Sequence, residues 1–183
     1  MTSAHAVSYW LLPGREAQAA LDQLSALASQ AVMACTLPPH ITLYSEPVNG
    51  DHGSSYGHVI DRLQRLADCR KPVELWPCTI EATGIYTQSL VLRFNADART
   101  ELLPWSTQLR WSASSAFDYR IDPHLSLLYS QDTLERRQEL AQRLPLPEGP
   151  LLFESISAVT HPFTISGPTD IATCINLHTR SLS

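Results

Sequence analysis

The sequence of 183 residues predicts an α+β fold with two pseudo-symmetric lobes, each an antiparallel sheet with flanking helices, around a central cleft. Three observations support this class. One short phrase occurs twice, at residues 39–45 and 123–130. The predicted elements run strand, helix, strand, helix in the first half, and the second half repeats that order. No linker is long enough to separate the halves, so we expect residues 1–183 to form a single domain.

The first half predicts two strands and two helices. Residues 6–12 alternate as a strand, which puts Ser8 and Trp10 on one face and apolar side chains on the other. Apolar residues recur at helical spacing over residues 15–30 and again over 56–69. The first copy of the repeated phrase lies between these helices and forms the second strand.

The second half repeats this order with additional strands. Strands are predicted at residues 73–83, 88–94, 151–160 and 171–178, and helices at residues 96–109 and 132–144. Asp132 and Thr133 can cap the last helix, and Glu135 lies three residues after Asp132, as the partner in a capping box would. Residues 49–55 and 112–120 are rich in turn and polar residues and predict loops.

The repeated phrase predicts a strand that presents an imidazole beside a hydroxyl. The copies read Pro-His-Ile-Thr-Leu-Tyr-Ser and Pro-His-Leu-Ser-Leu-Leu-Tyr-Ser, and their histidines lie 124 − 40 = 84 positions apart. Because side chains alternate along a strand, His40 and Thr42 share one face, as do His124 and Ser126. A single His-x-Thr is typical of an ordinary surface strand. Two copies with matching flanks indicate a common chemical role.

Two histidines with neighbouring hydroxyls suit the hydrolysis of a phosphodiester. Imidazole titrates near neutrality, so one histidine can act as a base and the other as an acid. Each hydroxyl can donate to a phosphoryl oxygen, where negative charge accumulates. A zinc site built from His40 and His124 is the alternative, but Asp122 is the one carboxylate close to either motif. We therefore expect neither a metal nor a cofactor.

Composition narrows the range of partners. The net charge is −5, with 13 Lys and Arg against 18 Asp and Glu, which argues against binding long nucleic acid but allows a small phosphate ligand. No segment reads as a signal peptide or a membrane span, so we expect a cytoplasmic monomer without a membrane partner. Four cysteines are scattered without a C-x-x-C pair and are expected to be reduced. The remaining five histidines, which lack matching flanks, are His5, His52, His58, His161 and His178.

The paired motifs resemble those of the 2H phosphoesterases, and most of all those of the cyclic phosphodiesterases of plants and yeast. Residues 7–13 resemble the opening strand of that family, and residues 123–129 with the helix that follows resemble its second motif. Residues 84–86 and 172–177 are weaker matches. The resemblance implies a pseudo-twofold arrangement with both motifs facing the cleft, and metal-independent catalysis.

The resemblance also implies substrates and residue roles. The substrates would be ADP-ribose 1″,2″-cyclic phosphate and nucleoside 2′,3′-cyclic phosphates, the latter opened to 2′-phosphates. His40 would be the acid and His124 the base, while Trp10, Tyr86 and Tyr129 would bind the substrate, with Trp10 as a wall for a nucleobase. Strict alternation puts Tyr129 on the face opposite His124, so it reaches the site only if a bulge or twist re-aims it.

Some alternatives stay open at this point. The same chemistry could serve RNA ends or a cyclic oligonucleotide signal, and a non-catalytic module could bind cyclic or terminal phosphates. The roles of the histidines are also open, because Asp122 lies two residues before His124 and would favour its charged form. That effect suits His124 as the acid, whereas the resemblance assigns it as the base.

Overall fold

The computed structural model describes residues 5–48, 56–113 and 117–183, and these form two antiparallel sheets and five helices. The strands are β1 (His5–Pro13), β2 (Ala34–Cys35), β3 (Ile41–Val48), β4 (Val73–Leu75), β5 (Pro77–Ala82), β6 (Leu90–Phe94), β7 (His124–Ser130), β8 (Leu151–Pro162) and β9 (Ile175–Ser181). The helices are α1 (Arg15–Ser29), α2 (Gly57–Ala67), α3 (Ala96–Trp111), α4 (Leu134–Arg143) and α5 (Pro168–Ala172). A 3₁₀ turn spans Tyr86–Gln88.

Each sheet carries one copy of the repeated phrase. The first sheet has the order β3-β1-β8-β4, with β9 also paired to β8, and contains the first copy in β3. The second sheet has the order β2-β7-β6-β5 and contains the second copy in β7. The pairs are antiparallel throughout, so the predicted α+β class with two antiparallel sheets and flanking helices is confirmed.

The two sheets share one hydrophobic core, and helices tie them together. Helix α1 follows β1 in the chain but contacts β7, and α3 follows β6 but contacts β3. Strands β3 and β7 also contact each other. The apolar faces of both motif strands are anchored in this core, where Ile41 and Leu125 are fully buried. The opposite faces of these strands are thereby directed to the seam between the sheets.

Each motif strand contains a β-bulge at the same position. The register shifts by one residue at Leu43 in the pairing of β3 with β1, and at Leu127 in the pairing of β7 with β6. Both residues lie three positions after the motif histidine. Because an extra residue reverses the alternation, the side chain five positions after each histidine returns to the face of that histidine. Those residues are Ser45 and Tyr129.

Several boundaries differ from the sequence prediction. The single strand expected at residues 73–83 is wrong, because β4 pairs with β8 in one sheet and β5 pairs with β6 in the other. The break falls at Trp76, before Pro77, which has no N–H to donate. The last strand begins only at Ile175, since residues 171 and 172 belong to α5.

Of the two residues predicted to cap α4, the second is the cap, so the capping box expected from Asp132 is wrong. The Thr133 side chain, not that of Asp132, accepts the capping hydrogen bond from the Arg136 N–H. The loop expected at residues 49–55, and residues 114–116 of the loop expected at 112–120, lie outside the described residues. No helix in the described ranges is long and apolar enough to cross a membrane.

Candidate active site

The two motifs meet at one cavity of about 220 Å³ on the seam between the sheets. His40 and Thr42 line it from one side, and His124 and Ser126 line it from the other. His40 directly precedes β3, and His124 is the first residue of β7, so each imidazole lies at the beginning of its strand. The four residues that the repeat singled out are therefore brought together.

The two histidines are held in the same way. The Nδ1 atom of His40 is 2.7 Å from the Pro38 carbonyl oxygen, and that of His124 is 2.7 Å from the Asp122 carbonyl oxygen. Both carbonyls belong to the residue two positions earlier. A carbonyl oxygen only accepts, so Nδ1 carries a proton in both rings. Nε2 is then the nitrogen that gains or loses a proton at the reaction.

His40 lies in an environment that keeps its imidazole neutral. Its ring stacks on Trp10 with the centroids 3.7 Å apart and an interplanar angle of 12°, and the residue is only 8% exposed. Burial lowers the pKa of His40 to about 4, and the nearby His124 and His161 add to this effect, while the hydrogen bond to Pro38 opposes it. At neutral pH its Nε2 lone pair can accept a proton.

His124 differs from His40 because a carboxylate lies beside it. Burial lowers the pKa of His124, but the Asp122 carbonyl and the Asp122 carboxylate, 3.3 Å from Nδ1, oppose the effect. Arg93 donates to the same carboxylate at 2.7 Å and to Glu81 at 2.6 Å, and its charge reduces the benefit to His124. The pKa of His124 is still lowered overall, but Asp122 offsets part of the effect of burial, and His40 has no such carboxylate beside it.

The hydroxyls of the two motifs have different surroundings. Ser126 Oγ donates to the Thr87 carbonyl at 2.8 Å and so ties β7 to the 3₁₀ turn. Thr42 borders the cavity, and its carbonyl accepts a hydrogen bond from the Tyr119 hydroxyl at 3.1 Å. To donate to a phosphoryl oxygen, Ser126 must exchange its present partner for the ligand.

Two of the three predicted aromatic residues line the cavity, and the third lies beside it. The bulge at Leu127 places Tyr129 on the cavity wall, so it lies on the face of His124 after all. Trp10 also lines the cavity, but His40 covers one of its faces. Tyr86 is 6.2 Å from Tyr129 between ring centroids and lines a neighbouring depression, not the histidine cavity.

Further residues of the cavity were not predicted, among them two serines and a third histidine. Ser8, Ser45 and His161 line it together with the motif residues. The position of Ser8 on the Trp10 face of β1 was a usable signal, since alternation predicts it. Ser45 needed the bulge in β3 to be known, and His161 has no repeated neighbour that would mark it.

One other depression of the surface fits a phosphate less well. A larger depression of about 630 Å³ is bordered by Glu16, Glu74 and Glu154 against a single Arg15, so its net charge repels an anion. Among the described residues, no group of three His, Cys, Asp or Glu side chains is arranged to hold a metal ion. The four cysteines are free thiols.

Structural comparison places the fold among known ones. TT0787 of Thermus thermophilus aligns over 97% of both chains with a TM-score of 0.64 and 17% identity. Apo LigT of E. coli covers 100% of this chain and 99% of its own with a TM-score of 0.61 and 14% identity. Kluyveromyces marxianus Usb1 aligns over 94% of this chain and 97% of its own, with a TM-score of 0.50 and 15% identity.

The chain has the fold of the 2H phosphoesterases. At this level of identity, structural similarity shows the fold alone. The resemblance to plant and yeast cyclic phosphodiesterases therefore stays a prediction. No protein-family model matches the sequence. No curated protein matches it either.

Proposed function

We propose that this protein hydrolyses cyclic phosphodiesters of nucleotide type, namely nucleoside 2′,3′-cyclic phosphates and ADP-ribose 1″,2″-cyclic phosphate. The observation that carries this proposal is the symmetric pair of histidines on one cavity. Each has Nδ1 committed to a carbonyl, which leaves Nε2 for proton transfer, and each is followed two residues later by a hydroxyl. This is the set of groups that opening a phosphodiester ring requires.

The reaction uses water as the nucleophile and both histidines as proton carriers. Nε2 of His40 takes a proton from a water molecule as its oxygen attacks phosphorus in line. The bond from phosphorus to the leaving ribose oxygen breaks, and Nε2–H of His124 gives that oxygen its proton. Thr42 and Ser126 donate to the non-bridging oxygens, where charge accumulates. The proton balance between the histidines is restored through solvent, so the residues return to their starting states.

We assign His40 as the base and His124 as the acid, which reverses the roles that the family resemblance implies. The stacked, buried His40 has the pKa of about 4 and is neutral at working pH. His124 has the Asp122 carboxylate 3.3 Å away, which stabilises the proton that an acid must carry. The two motifs have nearly identical sequences, so this difference arises from their surroundings.

The size of the cavity favours a ligand that is only partly enclosed. Its volume of about 220 Å³ is below the roughly 300–1,000 Å³ usual for whole small-molecule ligands, so the phosphate and sugar would occupy it while the base lies outside. Trp10 is 7% exposed beneath His40, which leaves it too little surface to be the base platform expected from the sequence.

A pair of phenylalanines close in sequence to the cavity wall offers such a platform. Phe163 is 45% exposed and makes an edge contact with Phe117, with the ring centroids 6.1 Å apart. Each lies two residues from a residue of the cavity wall, Tyr119 in one segment and His161 in the other. A base stacked there would receive the sequence-tolerant binding energy of an aromatic surface.

Ligands of a structural neighbour are consistent with a nucleotide. LigT of E. coli has been crystallised with 3′-AMP, with phosphate, with NADP⁺ and with ATP. These ligands share a phosphate, and three of them carry an adenosine. A site of the same fold that is lined by histidines and hydroxyls can take the phosphate of such a molecule without a metal.

A substrate panel with phosphorus NMR tests this function. The panel holds nucleoside 2′,3′-cyclic phosphates, ADP-ribose 1″,2″-cyclic phosphate, a 3′,5′-cyclic nucleotide, an RNA ending in a 2′,3′-cyclic phosphate and a cyclic dinucleotide. We expect turnover of the first two classes and a 2′-phosphate product from the first. Turnover confined to the RNA end or the cyclic dinucleotide would show that the protein acts on that substrate and not on the first two classes. Binding of all of them without turnover would identify a non-catalytic phosphate-binding module.

A further inference from the structure

A chain of three polar side chains lies along the cavity wall. Ser45 Oγ is 2.9 Å from Ser8 Oγ, and Ser8 Oγ is 2.7 Å from Nε2 of His161. Nδ1 of His161 is 2.8 Å from the Pro162 carbonyl oxygen. His161 is 8% exposed and lines the same cavity as both serines. Strand β8 supplies the histidine and β1 and β3 supply the serines.

The positions of the hydroxyl protons depend on the charge of His161. The Pro162 carbonyl only accepts, so Nδ1 of His161 always donates. The structure has Ser8 donating to Ser45. When His161 is neutral, its Nε2 accepts the Ser8 proton instead, so Ser8 can only accept from Ser45. When His161 is protonated, Nε2 donates to Ser8, Ser8 donates to Ser45, and the Ser45 proton is released to point elsewhere. One proton on the imidazole therefore reverses both hydroxyls.

The cavity needs a further positive charge when it holds a phosphate. Within the described ranges, neither lysine nor arginine lines it, and neither does a carboxylate. The two catalytic histidines together carry one positive charge, on His124 before the chemical step and on His40 after it. The substrate carries one negative charge, whereas the monoester product approaches two above about pH 6. The third histidine is the remaining group on the wall that can supply the matching cation.

We propose that His161, Ser8 and Ser45 form a phosphate-recognition element in which protonation of His161 turns the Ser45 hydroxyl into a donor to a phosphoryl oxygen. The assignment of a phosphate to this cavity rests on the proposed function. Ser45 holds the position in β3 that Tyr129 holds in β7, five residues after the motif histidine. The pseudo-symmetric strands thus present a hydroxyl donor from each side of the ligand.

The groups around His161 keep it neutral until an anion arrives. Burial lowers the pKa of His161, and the nearby His5 on β1 adds to this effect. His40 across the cavity interacts with His161 unfavourably when both are charged. Two other titratable residues lie on elements packed against β8. His178 of β9 pairs with Ala158. The carboxylate of Asp170 in α5 already accepts hydrogen bonds from residues 166 and 167. The anion in the cavity is then the group that favours the charged form.

Imidazole NMR on the whole chain tests this element. The side-chain resonances of His161 are followed from about pH 4.5 to 8, around the ordinary imidazole pKa, with and without inorganic phosphate, in the wild type and in Ser45→Ala. We expect phosphate to move the midpoint of His161 upward by about one pH unit, which corresponds to about tenfold tighter binding to the protonated form. In Ser45→Ala, phosphate should bind several-fold more weakly because the donor is absent.

Two variants separate this site from a general loss of folding. His161→Asn should weaken phosphate binding several-fold at about pH 6, and His178→Asn, on the neighbouring strand and outside the cavity, should bind as the wild type does. A His161 midpoint that phosphate does not move, or a Ser45→Ala protein with unchanged affinity, would overturn the proposal. Turnover of cyclic phosphates with an unresponsive His161 refutes this element alone. A responsive His161 without turnover refutes the proposed function and supports the element.

Discussion

The Asp122→Asn substitution separates the acid from the base. The Asp122 carboxylate is 3.3 Å from Nδ1 of His124, and asparagine keeps the backbone carbonyl that orients the ring. Removing the negative charge lowers the pKa of His124, because the imidazolium loses its partner while the Arg93 charge remains. If His124 is the acid, activity requires its protonated form. The limb of the kcat/KM profile that is lost on raising pH should then move to lower pH.

The size of this pKa shift follows from the distance between Asp122 and His124 and from the exposure of the Asp122 side chain. The Asp122 side chain is 52% exposed, so the dielectric constant of water is the appropriate one for the pair. At 3.3 Å this gives about 1.3 kcal/mol, which corresponds to roughly one pH unit on the alkaline limb. The acidic limb belongs to His40, whose pKa is about 4, and it should not move. Burial lowers the pKa of both histidines below the ordinary imidazole value, so the wild-type kcat/KM should be highest below about pH 6.5.

The assay is the pH dependence of kcat/KM on one cyclic phosphate for the wild type, Asp122→Asn and Glu81→Gln. Glu81 is the matched control, because it is the other carboxylate that accepts from Arg93. We expect the Glu81→Gln profile to move much less than that of Asp122→Asn. Movement of the acidic limb in Asp122→Asn would make His124 the base, as the family resemblance implies. A profile flat across neutrality would remove both histidines from acid-base catalysis.

Three other results are expected. Activity should survive exhaustive EDTA treatment, because the mechanism uses only side chains and water; loss with chelator and recovery with added zinc would require a metal-assisted mechanism. Thr42→Ala should lower kcat about a hundredfold to a thousandfold, as removal of a donor to developing charge does, and an unchanged kcat would exclude that role. Glu46→Gln should lower the free energy of unfolding by about 3–5 kcal/mol in urea denaturation, since it breaks the buried Arg62–Glu46 ion pair. A shift below about 1 kcal/mol would show that the pair adds little.

The motif residues could be predicted from the sequence because the information is local. Alternation within a strand places His40 beside Thr42 and His124 beside Ser126, whatever the rest of the chain does. The repetition then distinguishes them from ordinary polar residues. The same local rule places Ser8 and Trp10 on one face of β1, where the structure also has them.

The remaining parts of the site depend on contacts that are distant in sequence. The positions of Ser45 and Tyr129 follow from bulges, and a bulge is defined by the partner strand. His161 reaches Ser8 across 153 residues because β8 pairs with β1. Residues 73–83 are divided between two sheets for the same reason, because β4 pairs with β8 and β5 pairs with β6. Local patterns carry no information about such pairings.

Turnover of one cyclic phosphate by the wild type, His40→Ala, His124→Ala and the double variant tests the two-histidine mechanism most directly. Circular dichroism and thermal unfolding of each variant establish that the fold is intact. We predict that each single variant loses about a hundredfold to ten-thousandfold in kcat/KM, and that the double variant loses far less than the product of the two, because the residues act as a unit. A folded His40→Ala or His124→Ala protein with near-wild-type kcat/KM would contradict the mechanism.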